Sequence, residues 1–264
     1  MTIVECIILG VVQGLTEFLP ISSSGHLLLA RELFGIEEGE LIVEVTLHAA
    51  TSLAILVLFR KEIYQLFEGL FKFQLNPQTL YILKIAISMV PIFIIGVFFK
   101  ERVESLFGEG LAIVGPALLV TALLLLLSER IEGRKRGLTF GNAFIIGVAQ
   151  ALAVIPGLSR SGATISAGLL SGVSRQEVAK FSFLMVVIPI LGESFLNIVG
   201  GELGEASNSV GLLPLLAGFA TAFIVGFFAA KLVLELVRRS KMWPFALYCA
   251  VVGIISLLVQ YGAL

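Results

Sequence analysis

The long apolar stretches of this chain constrain its fold more than any other feature. A bilayer core of about 30 Å takes about 20 apolar residues to cross as a helix, and a backbone in lipid must satisfy its own hydrogen bonds. The mean hydropathy is +1.02 and only 14% of the residues are charged, which is outside the range of soluble domains. The sequence predicts an all-α polytopic membrane protein with six transmembrane helices at 41–59, 80–99, 111–128, 181–199, 212–230 and 243–261.

Two further apolar regions, 1–36 and 140–172, are each interrupted by a polar cluster. The clusters at 13–26 and 156–164 contain proline and glycine. Each leaves two helical arms that are short for a span at ~1.5 Å rise per residue. Irregular backbone at membrane depth persists only where protein or water satisfies its polar groups. We therefore expect two re-entrant helical hairpins that face one another in the protein interior.

Lysine and arginine are unevenly distributed among the loops. The positive-inside rule assigns the basic loops to the cytoplasm. The opposite side then holds few basic residues and an acidic loop at 200–211, and this partition is consistent only if each hairpin returns to the side it entered. The loops predicted to be cytoplasmic hold Arg60, Lys61 and Lys72; Arg130, Arg134, Lys135 and Arg136; Arg175 and Lys180; and Lys231, Arg238, Arg239 and Lys241.

A short motif occurs twice in the chain. Residues 10–15 read Gly-Val-Val-Gln-Gly-Leu, and residues 147–152 read Gly-Val-Ala-Gln-Ala-Leu. Each copy is followed by a proline, a serine-rich loop and three predicted spans. Because three is an odd number, the second copy must be inverted, an arrangement in which broken helices meet near the bilayer midplane. We predict one integral membrane domain, 1–264, built from inverted repeats at about 1–130 and 140–264.

The first polar cluster carries groups suited to phosphate chemistry. Its serines precede a helical arm that begins near Gly25, and a helix start offers capping hydroxyls and free N–H groups to an anion. Gln13 and Glu17 are four residues apart and share a helix face, while His26 adds a titratable base. The serines concerned are Ser22, Ser23 and Ser24.

The second polar cluster complements the first. Arg160 has a planar guanidinium that suits bidentate contact with phosphate oxygens. Three hydroxyls surround it in sequence, and two glycines keep the backbone accessible. Together the clusters contain a nucleophile, a base, a carboxylate and an anion clamp. The hydroxyls belong to Ser159, Ser161 and Thr164, and the glycines are Gly157 and Gly162.

These motifs together resemble the signature of a known family. Gln-x-x-x-Glu followed by Phe-Leu-Pro-Ile-Ser-Ser-Ser-Gly-His, with Pro-Gly-Leu-Ser-Arg-Ser-Gly-Ala-Thr further on, is similar to the motif pair of the undecaprenyl pyrophosphate phosphatase (BacA/UppP) family. The resemblance covers essentially the whole chain. It implies an enzyme of the bacterial plasma (inner) membrane that hydrolyses undecaprenyl pyrophosphate to undecaprenyl phosphate and inorganic phosphate, recycling the lipid carrier for peptidoglycan synthesis. It also implies a site open to the extracytoplasmic side, and bacitracin resistance on overproduction.

The resemblance also implies roles for residues. Glu17, Ser23, His26 and Arg160 are then catalytic, and a divalent cation, Mg²⁺ or Ca²⁺, has Glu17 as its protein ligand. We expect Ser23 or a water to attack the terminal phosphorus and His26, held by Glu17, to transfer the proton. Arg160 is expected to stabilise the transferring phosphoryl. The expected substrate contacts are Gln13, Ser22, Ser24, Gly25, Gly157, Ser159, Ser161, Gly162 and Thr164.

Gln13 departs from many members of the family, which have glutamate at this position, and it cannot act as a second carboxylate ligand. Other interpretations of the main residues stay open. In one interpretation, Glu17 and Arg160 form a purely structural ion pair. Inverted repeats with broken helices also suit a lipid transporter or flippase. An intramembrane serine protease would use Ser23 and His26, but its mechanism would give Arg160 no role.

Three more intramembrane polar residues lie outside the motifs. Glu44 and His48 are four residues apart on the first predicted span and form a candidate second polar network, while Glu193 matches no motif. Nucleic acid is excluded as a partner, because the chain has no basic stripe and no aromatic platform. The oligomeric state is left open, with a homodimer as one alternative.

Overall fold

The computed structural model consists of helices joined by short connections. It describes residues 1–34, 41–108, 110–130, 137–199, 210–239 and 241–262, without the side chains of 32–34, 41, 104, 107 and 193–199. No strand occurs in this part of the chain, and the all-α prediction is confirmed. The helices are α1 (Ile3–Thr16), α2 (Ser23–Phe34), α3 (Leu41–Leu58), α4 (Arg60–Leu70), α5 (Pro77–Phe98), α6 (Lys100–Phe107), α7 (Leu111–Glu129), α8 (Phe140–Leu152), α9 (Arg160–Leu170), α10 (Arg175–Val199), α11 (Leu212–Arg238) and α12 (Trp243–Gln260).

Each of the six predicted spans coincides with a helix, namely α3, α5, α7, α10, α11 or α12. Among the described residues, α5, α7, α11 and α12 are long and apolar enough to cross a membrane. The pair α3 and α4, bent by 74°, raises this number to five at most. The chain is therefore a multi-pass membrane protein, and the count of six stays a prediction. The basic residues at 134–136, the acidic loop at 200–209 and the side chain of Glu193 lie outside the described residues.

Each polar cluster spans the break between two short helices. α1 and α8 each begin with a capping box, formed by Thr2 with Glu5 and by Thr139 with Asn142. The four arms have 14, 12, 13 and 11 residues. At ~1.5 Å per residue these lengths fall well short of a ~30 Å bilayer core. The arm lengths agree with the predicted hairpins, whose re-entrant path stays a prediction.

Glycines allow close packing between the two halves of the chain. α1 lies on α11, where a Cβ on Gly14 would be 2.8 Å from the Gly226 nitrogen and 2.9 Å from the Ala222 carbonyl oxygen. Likewise α8 of the second half lies on α5 of the first half, where a Cβ on Gly147 would meet the backbone of Ser88. Under the predicted repeat, α1 on α11 corresponds to α8 on α5. Small residues therefore set the helix contacts in both halves, and the inversion itself stays a prediction.

We expect Gly14→Val to lower the melting temperature of the detergent-purified protein. The new side chain meets backbone atoms of Gly226 and Ala222, and overpacking of this kind costs about 1–3 kcal/mol. Gly96→Val is the matched control, because a Cβ on Gly96, within α5, has nothing within 4 Å. Equal melting temperatures for the two variants would contradict this packing of α1.

Candidate functional site

The two polar clusters meet in the interior of the protein. Ser161 Oγ donates a hydrogen bond of 3.0 Å to the Leu19 carbonyl. A Cβ on Gly25 would lie 3.3 Å from the Gly157 Cα, so the two loops touch along their backbones. Gly157 has a φ of +90°, a conformation that glycine adopts without strain. The structure thus brings the clusters at 13–26 and 156–164 together.

The second arms of the two hairpins begin with the same kind of capping hydrogen bond. α2 starts at Ser23 and α9 at Arg160. In each case the preceding serine accepts a hydrogen bond from the N–H three residues further on, at 3.4 Å for Ser22 and 3.1 Å for Ser159. Ser23 and Arg160 are therefore equivalent first residues of two helices. The positive ends of both helix dipoles lie at these adjoining loops, an arrangement that favours an anion.

The other hydroxyls predicted to contact substrate bind protein atoms. Ser24 Oγ lies 3.3 Å from Ser22 Oγ, and Ser161 Oγ lies 3.3 Å from Ser159 Oγ. Thr164 Oγ1 donates to the Arg160 carbonyl at 2.9 Å. The backbone N–H groups of Gly25 and Gly162 donate hydrogen bonds to the hydroxyls of the two capping serines. These contacts organise the loops, and a direct role in substrate binding stays a prediction.

Glu17 is the centre of a hydrogen-bond network. Its Oε2 accepts from Gln13 Nε2 at 2.9 Å and from Ser23 Oγ at 2.7 Å. Only 5% of the Glu17 side chain is exposed, and Gln13 is buried. The expected pairing of Gln13 with Glu17 along α1 is present. Because Ser23 donates to a carboxylate, Glu17 is placed to take the Ser23 proton.

The histidine beside Glu17 is His48, not His26. His48 Nδ1 lies 3.6 Å from Glu17 Oε2 and 3.0 Å from Gln13 Nε2. An amide nitrogen only donates, so His48 Nδ1 accepts from Gln13, and neutral His48 carries its proton on Nε2. The prediction that Glu17 holds His26 is wrong, because α3 brings His48 against α1. One signal was available, since the chain has just two histidines and this one lies in an apolar stretch.

The candidate network of Glu44 with His48 is not formed, and each residue has a partner of its own. Glu44 forms an ion pair of 2.5 Å with Arg31 of α2, whereas His48, one turn further along α3, faces Gln13. Glu44 and His48 therefore contact different neighbours. Glu44 joins α3 to the second arm of the first hairpin, and His48 joins it to the first arm.

His26 has partners that the sequence did not indicate. Its Nδ1 lies 2.7 Å from the Ser22 carbonyl oxygen, and its Nε2 lies 2.8 Å from the Tyr248 hydroxyl. A carbonyl only accepts, so Nδ1 carries the proton and Nε2 accepts from Tyr248. The two rings are stacked with centroids 5.5 Å apart. Tyr248 comes from α12, 222 residues away, and no local pattern connects it with His26.

Glu17 and Arg160 line one small cavity between the hairpins. Arg160 Nη1 is buried without a hydrogen-bond partner, while the structural ion pair of Glu17 with Arg160 stays an alternative. The Ser182 hydroxyl of α10 lines the same cavity and is also buried without a partner. Buried polar groups are normally paired. The two unpaired groups therefore mark a place for a ligand that accepts hydrogen bonds.

Comparison with known proteins finds relatives along nearly the whole chain. The family model described as bacitracin resistance protein BacA matches residues 6–255. A protein of Bacteroides fragilis named undecaprenyl-diphosphatase is 50% identical over 259 residues, or 97% of each chain. Proteins of the same name from Parabacteroides distasonis and Carboxydothermus hydrogenoformans are 50% identical over 256 residues (96% of each chain) and 38% identical over 260 residues (97% of each chain). Both polar clusters lie within these matches.

Proposed function

The chain belongs to the family of the bacitracin resistance protein BacA, and from this premise we propose that it is an undecaprenyl-diphosphatase. It hydrolyses undecaprenyl pyrophosphate to undecaprenyl phosphate and inorganic phosphate, which recycles the lipid carrier used in peptidoglycan synthesis. Removal of the diphosphate also takes away the form of the lipid that bacitracin sequesters. The relatives described above carry the name of a phosphatase, so they lend no support to the lipid transporter or to the intramembrane protease.

One observation supports the proposed mechanism most directly: Ser23 donates to Glu17, which lines a cavity with Arg160, whose Nη1 has no hydrogen-bond partner. A terminal phosphate that accepts from Arg160 Nη1 would lie near Glu17, whose Oε2 accepts from Ser23 Oγ. Two helix N-termini add positive potential at the same place. The site thus has an activated hydroxyl on one hairpin and an anion clamp on the other.

In the proposed first step Ser23 Oγ attacks the terminal phosphorus, and its proton passes to Glu17 Oε2, 2.7 Å away. The Oγ–P bond forms as the bond from phosphorus to the bridging oxygen breaks, and undecaprenyl phosphate leaves with that electron pair. In the second step a water oxygen bonds to phosphorus as the Oγ–P bond breaks. Glu17 returns its proton to Ser23 Oγ, and the proton lost by the water passes to His26 Nε2 and then to solvent.

His26 is well placed for the second step, because it follows Ser23 by three residues on α2 and the two side chains share one side of the helix. Its Nδ1 is held by the Ser22 carbonyl, which leaves Nε2 as its basic atom. This role differs from the sequence prediction in one respect. Glu17 and His26 act on different protons rather than as a hydrogen-bonded pair.

We also propose a divalent cation, Mg²⁺ or Ca²⁺, in this site. Its fit rests on Glu17, a buried carboxylate that would repel a diphosphate unless a cation offset the charge. Among the described residues no group of three or more His, Cys, Asp or Glu side chains is arranged to hold a metal. Hard cations often bind through one carboxylate together with substrate phosphates. Glu17 and the diphosphate oxygens would hold it, and it would neutralise charge on the leaving phosphate.

The proposed location is the bacterial plasma (inner) membrane, with the site opening to the extracytoplasmic side. The concentration of basic residues on the other loops supports this orientation. The corresponding helix pairs, α1 on α11 and α8 on α5, support the inverted repeat. A homodimer is compatible with this arrangement, and no step of the mechanism depends on it.

We expect the protein purified in detergent to release inorganic phosphate from undecaprenyl pyrophosphate when Mg²⁺ or Ca²⁺ is present. EDTA should stop the release, because the negative charges of Glu17 and the diphosphate then repel one another. Added cation should restore the release by offsetting these charges. Undecaprenyl phosphate is the control substrate and should release none. Folded protein that binds the diphosphate but releases no phosphate under any cation would contradict the enzyme and favour a lipid transporter.

A further inference from the structure

Tyr248 contacts the basic atom of His26. Both ring nitrogens of His26 have partners, and these partners differ in kind. The Ser22 carbonyl accepts from Nδ1 at 2.7 Å, and the Tyr248 hydroxyl lies at Nε2, 2.8 Å away. The Ser22 carbonyl fixes the tautomer, since a carbonyl cannot donate. A proton taken up by His26 therefore has to reach Nε2, where the Tyr248 hydroxyl stands.

The stacking of the two rings also orients the His26 imidazole. The imidazole and phenol planes are 13° apart, with centroids separated by 5.5 Å. Ser22 has a φ of +72°, a conformation uncommon for residues other than glycine. The N–H of His26 is bonded to the same Ser22 carbonyl, at 3.2 Å. His26 is thus fixed from the backbone side by its own loop and from the other side by the last helix, α12.

Tyr248 is partly open to its surroundings, unlike the residues around Glu17. The residue is 43% exposed on the protein surface, and its hydroxyl lies 2.8 Å from His26 Nε2. A hydroxyl can accept one hydrogen bond while it donates another. The Tyr248 hydroxyl therefore keeps its capacity to accept a hydrogen bond while it donates to His26 Nε2.

We propose that Tyr248 is a positioning residue of the phosphatase site, which holds the His26 ring in place with Nε2 as its basic atom. This inference rests on the proposed function. It adds to the site a residue from the end of the chain that neither polar cluster contains. Tyr248 acts through His26 and needs no direct contact with the phosphate.

The first test is kinetic. Tyr248→Phe keeps the stacked ring and removes only the hydroxyl, and it is expected to lower kcat by about two- to tenfold, the factor that corresponds to one hydrogen bond. KM is expected to stay within about twofold, since substrate binding depends on other groups. Tyr261→Phe is the matched control, because that ring follows the same helix and is 77% exposed. An unchanged kcat in Tyr248→Phe would overturn the inference.

The second test does not require activity. The chain has two histidines, so a His48→Gln background leaves His26 as the only imidazole for ¹⁵N NMR in lipid bilayers. We expect a protonated Nδ1 and an Nε2 resonance shifted by a hydrogen bond, and Tyr248→Phe should move the Nε2 resonance toward that of free imidazole. An Nε2 resonance that does not move would overturn the inference. Failure of the proposed function would instead show as absent phosphate release from the parent enzyme.

Discussion

Arg160→Ala is expected to lower kcat/KM for phosphate release by about 10²- to 10³-fold. The guanidinium is the cationic group in the cavity beside Glu17, and its buried Nη1 has no protein partner. When the phosphoryl group moves from the bridging oxygen to Ser23, charge develops where Arg160 can donate. Alanine leaves that charge to the helix N-termini and the proposed cation. The measurement is steady-state phosphate release from undecaprenyl pyrophosphate at saturating cation.

The form of the guanidinium matters as well as its charge. Arg160→Lys keeps a positive charge but replaces a planar fork by a single ammonium group, and it is expected to recover only a small part of the lost activity. Arg102→Ala, which removes an exposed arginine of α6, should leave phosphate release unchanged. If Arg160→Ala kept more than a tenth of the parental kcat/KM, Arg160 would be a structural residue and the anion clamp would lie elsewhere.

The helices were predictable because hydropathy and helix breakers are local properties. The stretch at 80–99 is realised as Pro77–Phe98, and 243–261 as Trp243–Gln260. Helix ends were less predictable. α10 begins at Arg175 rather than at 181, and α11 continues to Arg238 rather than stopping at 230. Charged residues end an apolar stretch but not the backbone hydrogen bonds of a helix, so the helices extend beyond the segments that hydropathy marks.

The site was predictable only in its local contacts. Gln13 and Glu17 are one helical turn apart, and their hydrogen bond follows from that spacing. The contacts of His48 and Tyr248 span 35 and 222 residues, and they depend on how α3 and α12 pack on the first hairpin. The exchange of His26 for His48 beside Glu17 has the same cause, because the order of residues in a motif does not fix which way each side chain turns.

Ser23→Ala is expected to lower kcat by about 10³-fold or more, because it removes the nucleophile and closes the covalent route. The hydrogen bond of 2.7 Å from Ser23 Oγ to Glu17 is the geometry of a hydroxyl ready to lose its proton to a carboxylate. A phosphoenzyme should therefore form on Ser23. Rapid-quench experiments with substrate labelled in its terminal phosphate measure this directly as radioactivity bound to protein.

Direct attack by water makes a different prediction for the same variant. Ser23→Ala would then lose only a hydrogen bond to Glu17, which corresponds to about a two- to tenfold decrease in kcat, and no phosphoenzyme would form in any variant. Ser171→Ala is the matched control, since this serine of the second hairpin donates to the Gly168 carbonyl at 2.9 Å. Labelled protein in the parent and in Ser171→Ala, but not in Ser23→Ala, would identify Ser23 as the nucleophile. A Ser23→Ala enzyme that keeps a tenth of its activity would leave Glu17 as the base for a water molecule.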